Sequence, residues 1–192
     1  FDSSDNQFYI KRTNFRNALT FWLNELGIHN FKLNKTHDDI FRLHLNASEN
    51  NDYKVNIADV GFGVSQVVPI IIHGLLLDQY STLMIEQPEL HLHPKMQMKL
   101  ADFFLALAID RKNLIIETHS EHIINRLVRR VVEDTDNQFI RLVGINFVSS
   151  TKKGSKIDKV VLSDGDGIVN WPDEFFDQAA GEHQKIMNAI IH

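Results

Sequence analysis

Apolar residues along this chain recur at helical spacing in some stretches and alternate in others. They run unbroken only in short blocks. Across residues 14–26, Phe15, Ala18, Leu19, Trp22, Leu23 and Leu26 fall on one helical face and Gly27 follows as a stop, so an amphipathic helix is predicted there. Residues 31–33, 40–45 and 53–57 alternate and read as strands, with the polar tract 46–52 as a turn. Next comes the turn Gly61-Phe62-Gly63-Val64-Ser65-Gln66 and the apolar block 67–77. The block predicts a buried helix, and Pro69, accommodated in a first turn, puts its start close to Ser65. A strand is expected at 82–85. Pro94 then opens a helix with Met96, Leu100, Phe103, Phe104 and Leu107 along one face. A second buried strand at 113–116 leads to Ser120, the expected N-cap of a helix bearing Ile123, Ile124, Leu127, Val128 and Val131. Helix, strand, helix, strand, helix is the rhythm of a parallel sheet with crossover helices.

The rest of the chain changes character. Residues 139–149 and 156–162 read as strands around a polar loop at 149–156. Ser163-Asp164-Gly165-Asp166-Gly167 reads as a turn before Ile168-Val169, and 172–191 as a terminal helix. A soft boundary near residue 136 separates an α/β core from a small α+β appendage.

Composition narrows the class. The 192 residues are 43% hydrophobic and 23% charged, the balance of a globular protein. A net charge of −5 argues against a generally basic, DNA-coating surface. The absence of cysteine excludes disulfides, thiolate zinc sites and cysteine nucleophiles, and suits a reducing, cytoplasmic setting. The longest apolar block, interrupted by His73 and Gly74, is far short of the ~20 residues that span a bilayer, so no membrane is expected. No secretory signal opens the chain and residue 1 is Phe, which suggests a piece of a longer protein.

Three segments carry candidate chemistry. Leu83-Met84-Ile85-Glu86-Gln87-Pro88-Glu89 is an apolar strand ending in an acid, where open α/β sheets place ligand chemistry and where a carboxylate can hold magnesium through water. Asn113-Leu114-Ile115-Ile116-Glu117-Thr118-His119-Ser120 is a second apolar strand, ending in Thr-His-Ser. If the two strands are parallel neighbours, His119 shares a sheet edge with Glu86. The Gly61–Gln66 turn allows close backbone approach and opens a helix whose free N–H groups suit an anion. Each segment also has a bland reading: a strand cap, a structural histidine, a tight loop before a buried helix.

Together, over residues 58–130, these segments resemble the C-terminal half of an ABC-type ATPase head, of the branch shared by SMC-like, RecF-like and overcoming-lysogenization-defect-like AAA ATPases. Phe62-Gly63-Val64-Ser65-Gln66 stands where the family has its signature loop, with the expected spacing from Ser65 to Glu86. Glu86 matches the Walker B acid of the magnesium site, Gln87 the catalytic glutamate, Leu90-His91-Leu92-His93-Pro94 the D-loop and His119 the switch histidine. The resemblance implies a P-loop NTPase-like fold, with residues 1–57 preceding the signature, 58–136 as the ATPase core and 137–192 as the appendage. It further implies ATP and Mg2+ as cofactors, and a homodimer in which Gly61, Gly63, Val64, Ser65 and Gln66 of one copy face the γ-phosphate held by the other. The departures are specific. Gly63 replaces the signature serine, although Ser65 can supply a hydroxyl. Gln87 cannot accept a proton as a general base, which leaves Glu89 or His119 for that task. No Gly-x-x-x-x-Gly-Lys-Ser/Thr occurs, because none of the nine glycines is followed by Lys. The Walker A lobe is thus expected N-terminal to this chain.

The implied role is an ATP-driven dimerisation switch in DNA maintenance or phage defence, with DNA as a possible partner. The alternative that Gln87 leaves open is an interaction module that keeps the fold without hydrolysing. Other readings are weaker. His91, His93, His119 and His122 lack the spacing of a zinc site, and His91 and His93 would point to opposite faces if extended. Asp164 and Asp166 fit a hairpin turn better than a Toprim-type nuclease pair. Arg126, Arg129, Arg130 and Arg141 read as a solvated face rather than a nucleic-acid contact. Trp171-Pro172-Asp173-Glu174-Phe175-Phe176 resembles an element that follows some of these ATPase heads, with helix-start packing as the default reading.

Overall fold

The computed structural model describes residues 13–35, 41–48, 51–56, 61–172, 175, 176, 182 and 185–188. The chain divides into two compact units, Phe1–Leu127 and Val128–His192, with the division inside a helix.

In the first unit, helix α1 (Phe15–Glu25) starts where the Asn14 side chain accepts from the Asn17 N–H at 2.9 Å, and ends before Gly27 at φ +76°. Strands β1 (Lys32–Lys35), β2 (Phe41–Ser48) and β3 (Asn51–Asn56) form an antiparallel sheet in that order. The polar tract 46–52 is therefore mostly strand. Ladder hydrogen bonds carry β2 to Ser48 across a register shift after Asn46, and they do not depend on hydropathy.

Helix α2 (Phe62–Leu76) begins at Phe62 with Gly61 as its cap, earlier than Pro69 suggested. Pro69 sits inside the helix. Its missing N–H deprives only the Ser65 carbonyl, and both residues lie on the exposed side of the helix, where the loss costs least. Strands β4 (Thr82–Glu86) and β5 (Asn113–Glu117) pair in parallel, joined through helix α3 (Pro94–Ile109). From one sheet face, Ile85, Leu114 and Ile116 pack on a core built by Trp22, Leu23, Val67, Val68, Ile71, Phe103 and Phe104. Trp22 meets Phe103 edge-on at 5.1 Å. The predicted apolar stripe of α3 is broader than one face, since every residue from Leu100 to Leu107 is buried, Asp102 included. Helix α4 (Glu121–Glu133) follows Ser120, whose Oγ accepts from the Ile123 N–H at 3.1 Å. Arg126 of α4 grips Asp102 of α3 through two hydrogen bonds, 3.0 Å from Nε and 2.7 Å from the terminal nitrogen. This arginine belongs to the interior and not to a solvated face.

In the second unit, residues 139–149 are not one strand. The Asp134 carboxylate accepts from the Gln138 and Phe139 N–H groups at 2.6 and 2.7 Å, which draws Phe139–Arg141 into a 3-10 turn. Strand β6 (Ile145–Thr151) then pairs antiparallel with β7 (Gly154–Val160), so the expected polar loop shrinks to Lys152-Lys153, with Gly154 at φ +119°. Strands β8 (Leu162–Ser163) and β9 (Gly167–Ile168) enclose the Asp-Gly-Asp turn. Ser163 and Asp166 interact within that turn, as a hairpin reading of the acidic pair requires. Arg130 is buried and pairs with Glu133, whereas Arg129 is exposed. Phe175 is buried among Phe147, Trp171 and Phe176, and the Trp171 indole N–H donates to the Phe175 carbonyl at 2.6 Å. The aromatic run thus builds a local core over β6. Most of the expected helix 172–191 lies outside the described residues, of which 185–188 are helical. No described helix is long and apolar enough to cross a membrane.

Candidate functional site

The site is built where β4 and β5 end. Their parallel register pairs Glu86 with Glu117, so both acids lie at the C-terminal edge of the same sheet. Glu86 is exposed, and among the described residues its carboxylate has no partner.

After Glu86 the chain turns sharply. Gln87 adopts φ +45°, a left-handed conformation that costs a non-glycine residue energy and that persists only where neighbours enforce it. The neighbour is Glu117. Its carbonyl accepts from the Gln87 N–H at 2.9 Å and its carboxylate Oε2 lies 3.2 Å from the same nitrogen. His91 is the second left-handed residue of the loop, at φ +60°. His93 then caps α3 by accepting from the Lys95 N–H at 3.2 Å, with Pro94 in the first turn.

Glu89 is buried and ties this loop to the one after β5. Its Oε2 accepts from the Thr118 hydroxyl at 2.8 Å, and its Oε1 accepts from the His119 N–H at 2.7 Å. Gln97 makes a second tie: its amide donates to the Leu92 carbonyl at 2.8 Å and its oxygen accepts from Ser120 Oγ at 2.5 Å. The His119 ring is 76% exposed, and its Nε2 lies 3.1 Å from Glu117 Oε1. Polar bonds between residues some thirty positions apart thus hold Gln87, Glu89 and His119 at one edge.

The Gly61–Gln66 segment reaches this edge through one residue. A Cβ on Gly63 would lie 2.4 Å from the His91 carbonyl oxygen, so only glycine lets the first turn of α2 touch the loop after β4. The Phe62 and His91 rings meet at 5.9 Å beside it. Val64, Ser65 and Gln66 make no hydrogen bond to the β4 or β5 loops among the described residues. Ser65 Oγ donates instead to the Phe62 carbonyl at 2.8 Å. Leu90 and His91 are exposed, and Leu92 is buried. Among the described residues no group of three or more His, Cys, Asp or Glu is placed to hold a metal ion.

Two participants escaped the sequence reading. Glu117 was absorbed into its strand, although it precedes Thr-His as an acid aligned with Glu86. Gln97 is a polar position of α3 that hydropathy does not single out.

A model of the AAA ATPase domain family matches residues 5–124, a span that contains the α2 turn, both strand ends and the start of α4. This chain belongs to the AAA ATPase domain family. The fold is also similar to that of a solved structure described as concerning ATP-driven dimerization and DNA-stimulated activation of SMC ATPases. That similarity has a TM-score of 0.55 over 89% of each chain at 12% identity, and it establishes a mixed α/β, P-loop NTPase-like fold. No curated protein matches the chain.

Proposed function

We propose that this chain is the C-terminal part of an ATP-hydrolysing head of ABC type, in which two heads close over ATP and reopen after hydrolysis. The observation that carries the reading is the sheet edge itself: the Glu86-Gln87-Pro88-Glu89 loop hydrogen-bonded to Glu117-Thr118-His119-Ser120 across a parallel strand pair.

Glu86 fits a magnesium site. Mg2+ keeps several waters and takes one or two carboxylates beside nucleotide phosphates, and Glu86 offers an exposed, unengaged carboxylate at a strand end. When bound, the ion neutralises charge on the phosphates. Gln87 orients water through its amide, as a glutamine can without being a base. His119, largely exposed at the same edge, reaches toward the γ-phosphate. Glu89 has both oxygens engaged, which favours a clamp on the His119 main chain over the role of base. Gly61, Gly63, Val64, Ser65 and Gln66 present the first turn of α2 to the phosphate of a second head, and Leu90, His91, Leu92 and His93 form the loop beside it. The lysine-bearing phosphate loop comes from a preceding lobe of the same protein. The setting is cytoplasmic, in DNA maintenance or phage defence, with DNA as the stimulating partner. DNA-stimulated activation in the description of the similar SMC structure supports that choice.

The test is steady-state ATP turnover and oligomeric state of the full-length protein, with and without DNA. ATP-dependent dimers and slow turnover are expected. Glu86→Ala should abolish turnover, and Gln87→Glu should raise it, since a general base contributes about 10²–10⁴-fold. A protein that neither binds nor hydrolyses ATP would refute the reading. Gln87 favours one second reading, an assembly module that binds nucleotide without hydrolysis. Dimers that form with ATP but show no turnover, even with Glu at position 87, would select it.

A further inference from the structure

Gln87 and His119, the two side chains that the proposed reaction directs at the water and the γ-phosphate, stand on separate strand ends. One carboxylate reaches both residues, Gln87 at its main chain and His119 at its ring. Glu117 Oε2 lies 3.2 Å from the Gln87 main-chain nitrogen, and Oε1 lies 3.1 Å from His119 Nε2. The Gln87 N–H it meets belongs to a residue in a left-handed conformation, and the ring it meets is otherwise 76% exposed. An exposed imidazole samples several rotamers unless an acceptor holds it. Packing does not explain Glu117: its side chain is 48% exposed, on the open sheet face that also bears Met84 and Ile115. Half-exposed polar contacts add little to stability, so this carboxylate can be changed without losing the fold.

We propose that Glu117 is a positioning residue for ATP hydrolysis, its carboxylate spanning the Gln87 main chain and the His119 ring so that the two side chains keep a fixed separation. The proposal rests on the ATPase reading. Glu117 neither forms nor breaks a bond. It acts through geometry, where displacement of a catalytic group by about 1 Å costs on the order of 10²-fold in rate.

The experiment compares full-length wild type, Glu117→Gln, His119→Ala and the double variant by steady-state kinetics with Mg-ATP. Glu117→Gln should lower kcat by roughly 10- to 100-fold and leave KM and the ATP-dependent dimer unchanged, because the interaction matters in the transition state and not in binding. In the His119→Ala background the same change should cost clearly less than in the wild type, since part of the effect of Glu117 runs through His119. An unchanged kcat in Glu117→Gln overturns the proposal. So does an equal loss in both backgrounds, which would make Glu117 independent of His119. Thermal melting identifies any variant that fails to fold. In that event Glu117→Asp decides, because its shorter carboxylate does not span both partners: a reduced kcat supports the proposal and an unchanged one overturns it. A wild type without turnover removes the ATPase reading and this proposal together, and is seen before any variant is made.

Discussion

Gly63 and Gly61 stand two residues apart at the start of α2, yet they face different constraints. A methyl group at Gly63 meets the His91 carbonyl oxygen at 2.4 Å and the Leu92 side chain at 3.0 Å, whereas one at Gly61 meets nothing within 4 Å. Neither residue has a positive φ, so the difference is purely one of space. Gly63→Ala should destabilise the protein by about 1–3 kcal/mol, the usual cost of overpacking, as the loop is pushed off α2. Gly61→Ala, which only alters a cap, should cost a few tenths of that range. Thermal melts of the two variants check the contrast. Similar midpoints would show that the loop after β4 yields freely. The signature-like turn therefore reads as two equivalent glycines in sequence, while the fold needs the second far more than the first.

At the scale of elements, α3 is the piece around which the first unit is assembled. Its buried Asp102 is wholly inaccessible and carries the bidentate grip of Arg126, whose side chain is 14% exposed. Removing one partner of a buried ion pair leaves the other desolvated and uncompensated, at a cost of roughly 3–5 kcal/mol. Asp102→Ala should therefore lower the denaturant midpoint sharply. Arg129→Ala, which breaks the exposed pair with Glu133, should cost no more than about 1 kcal/mol of stability and so move the midpoint little. Comparable shifts would mean that water reaches the α3–α4 contact. The charge was visible in the sequence as a single acid within an apolar run. Its partner was not, because five arginines follow it (Arg111, Arg126, Arg129, Arg130 and Arg141) at intervals that do not distinguish an inward residue from an outward one.

For the molecule as a whole, the phosphate-cradling Gly-Lys motif is missing from all 192 residues, while the acid, glutamine and histidine edge is present. Nucleotide affinity in P-loop proteins comes largely from backbone N–H groups and the lysine of that motif. Calorimetric titration of this chain alone with Mg-ATP should therefore show no binding at sub-millimolar concentrations, and the full-length protein should bind. Tight one-to-one binding by the chain alone would place the nucleotide elsewhere.

The sequence by itself determined the elements of the first unit and their order. Hydropathy at helical and alternating periods, with Asn14, Gly27, Pro94 and Ser120 as punctuation, is local information, and each of those residues stands where its signal implied. Glu86 and His119 at the ends of two strands also implied a shared edge, given the parallel pairing that a crossover helix favours. Only the tertiary structure decided which polar group meets which. Glu89 holds Thr118 and His119, Gln97 bridges Leu92 and Ser120, and Glu117 spans Gln87 and His119. Apart from Leu92 and Gln97 these partners are distant in sequence, and hydropathy does not encode direction or reach. The same reason explains the misread tracts 46–52 and 149–156: their strands are held by ladder hydrogen bonds to a neighbour, which any side chain permits, so a polar composition conceals them.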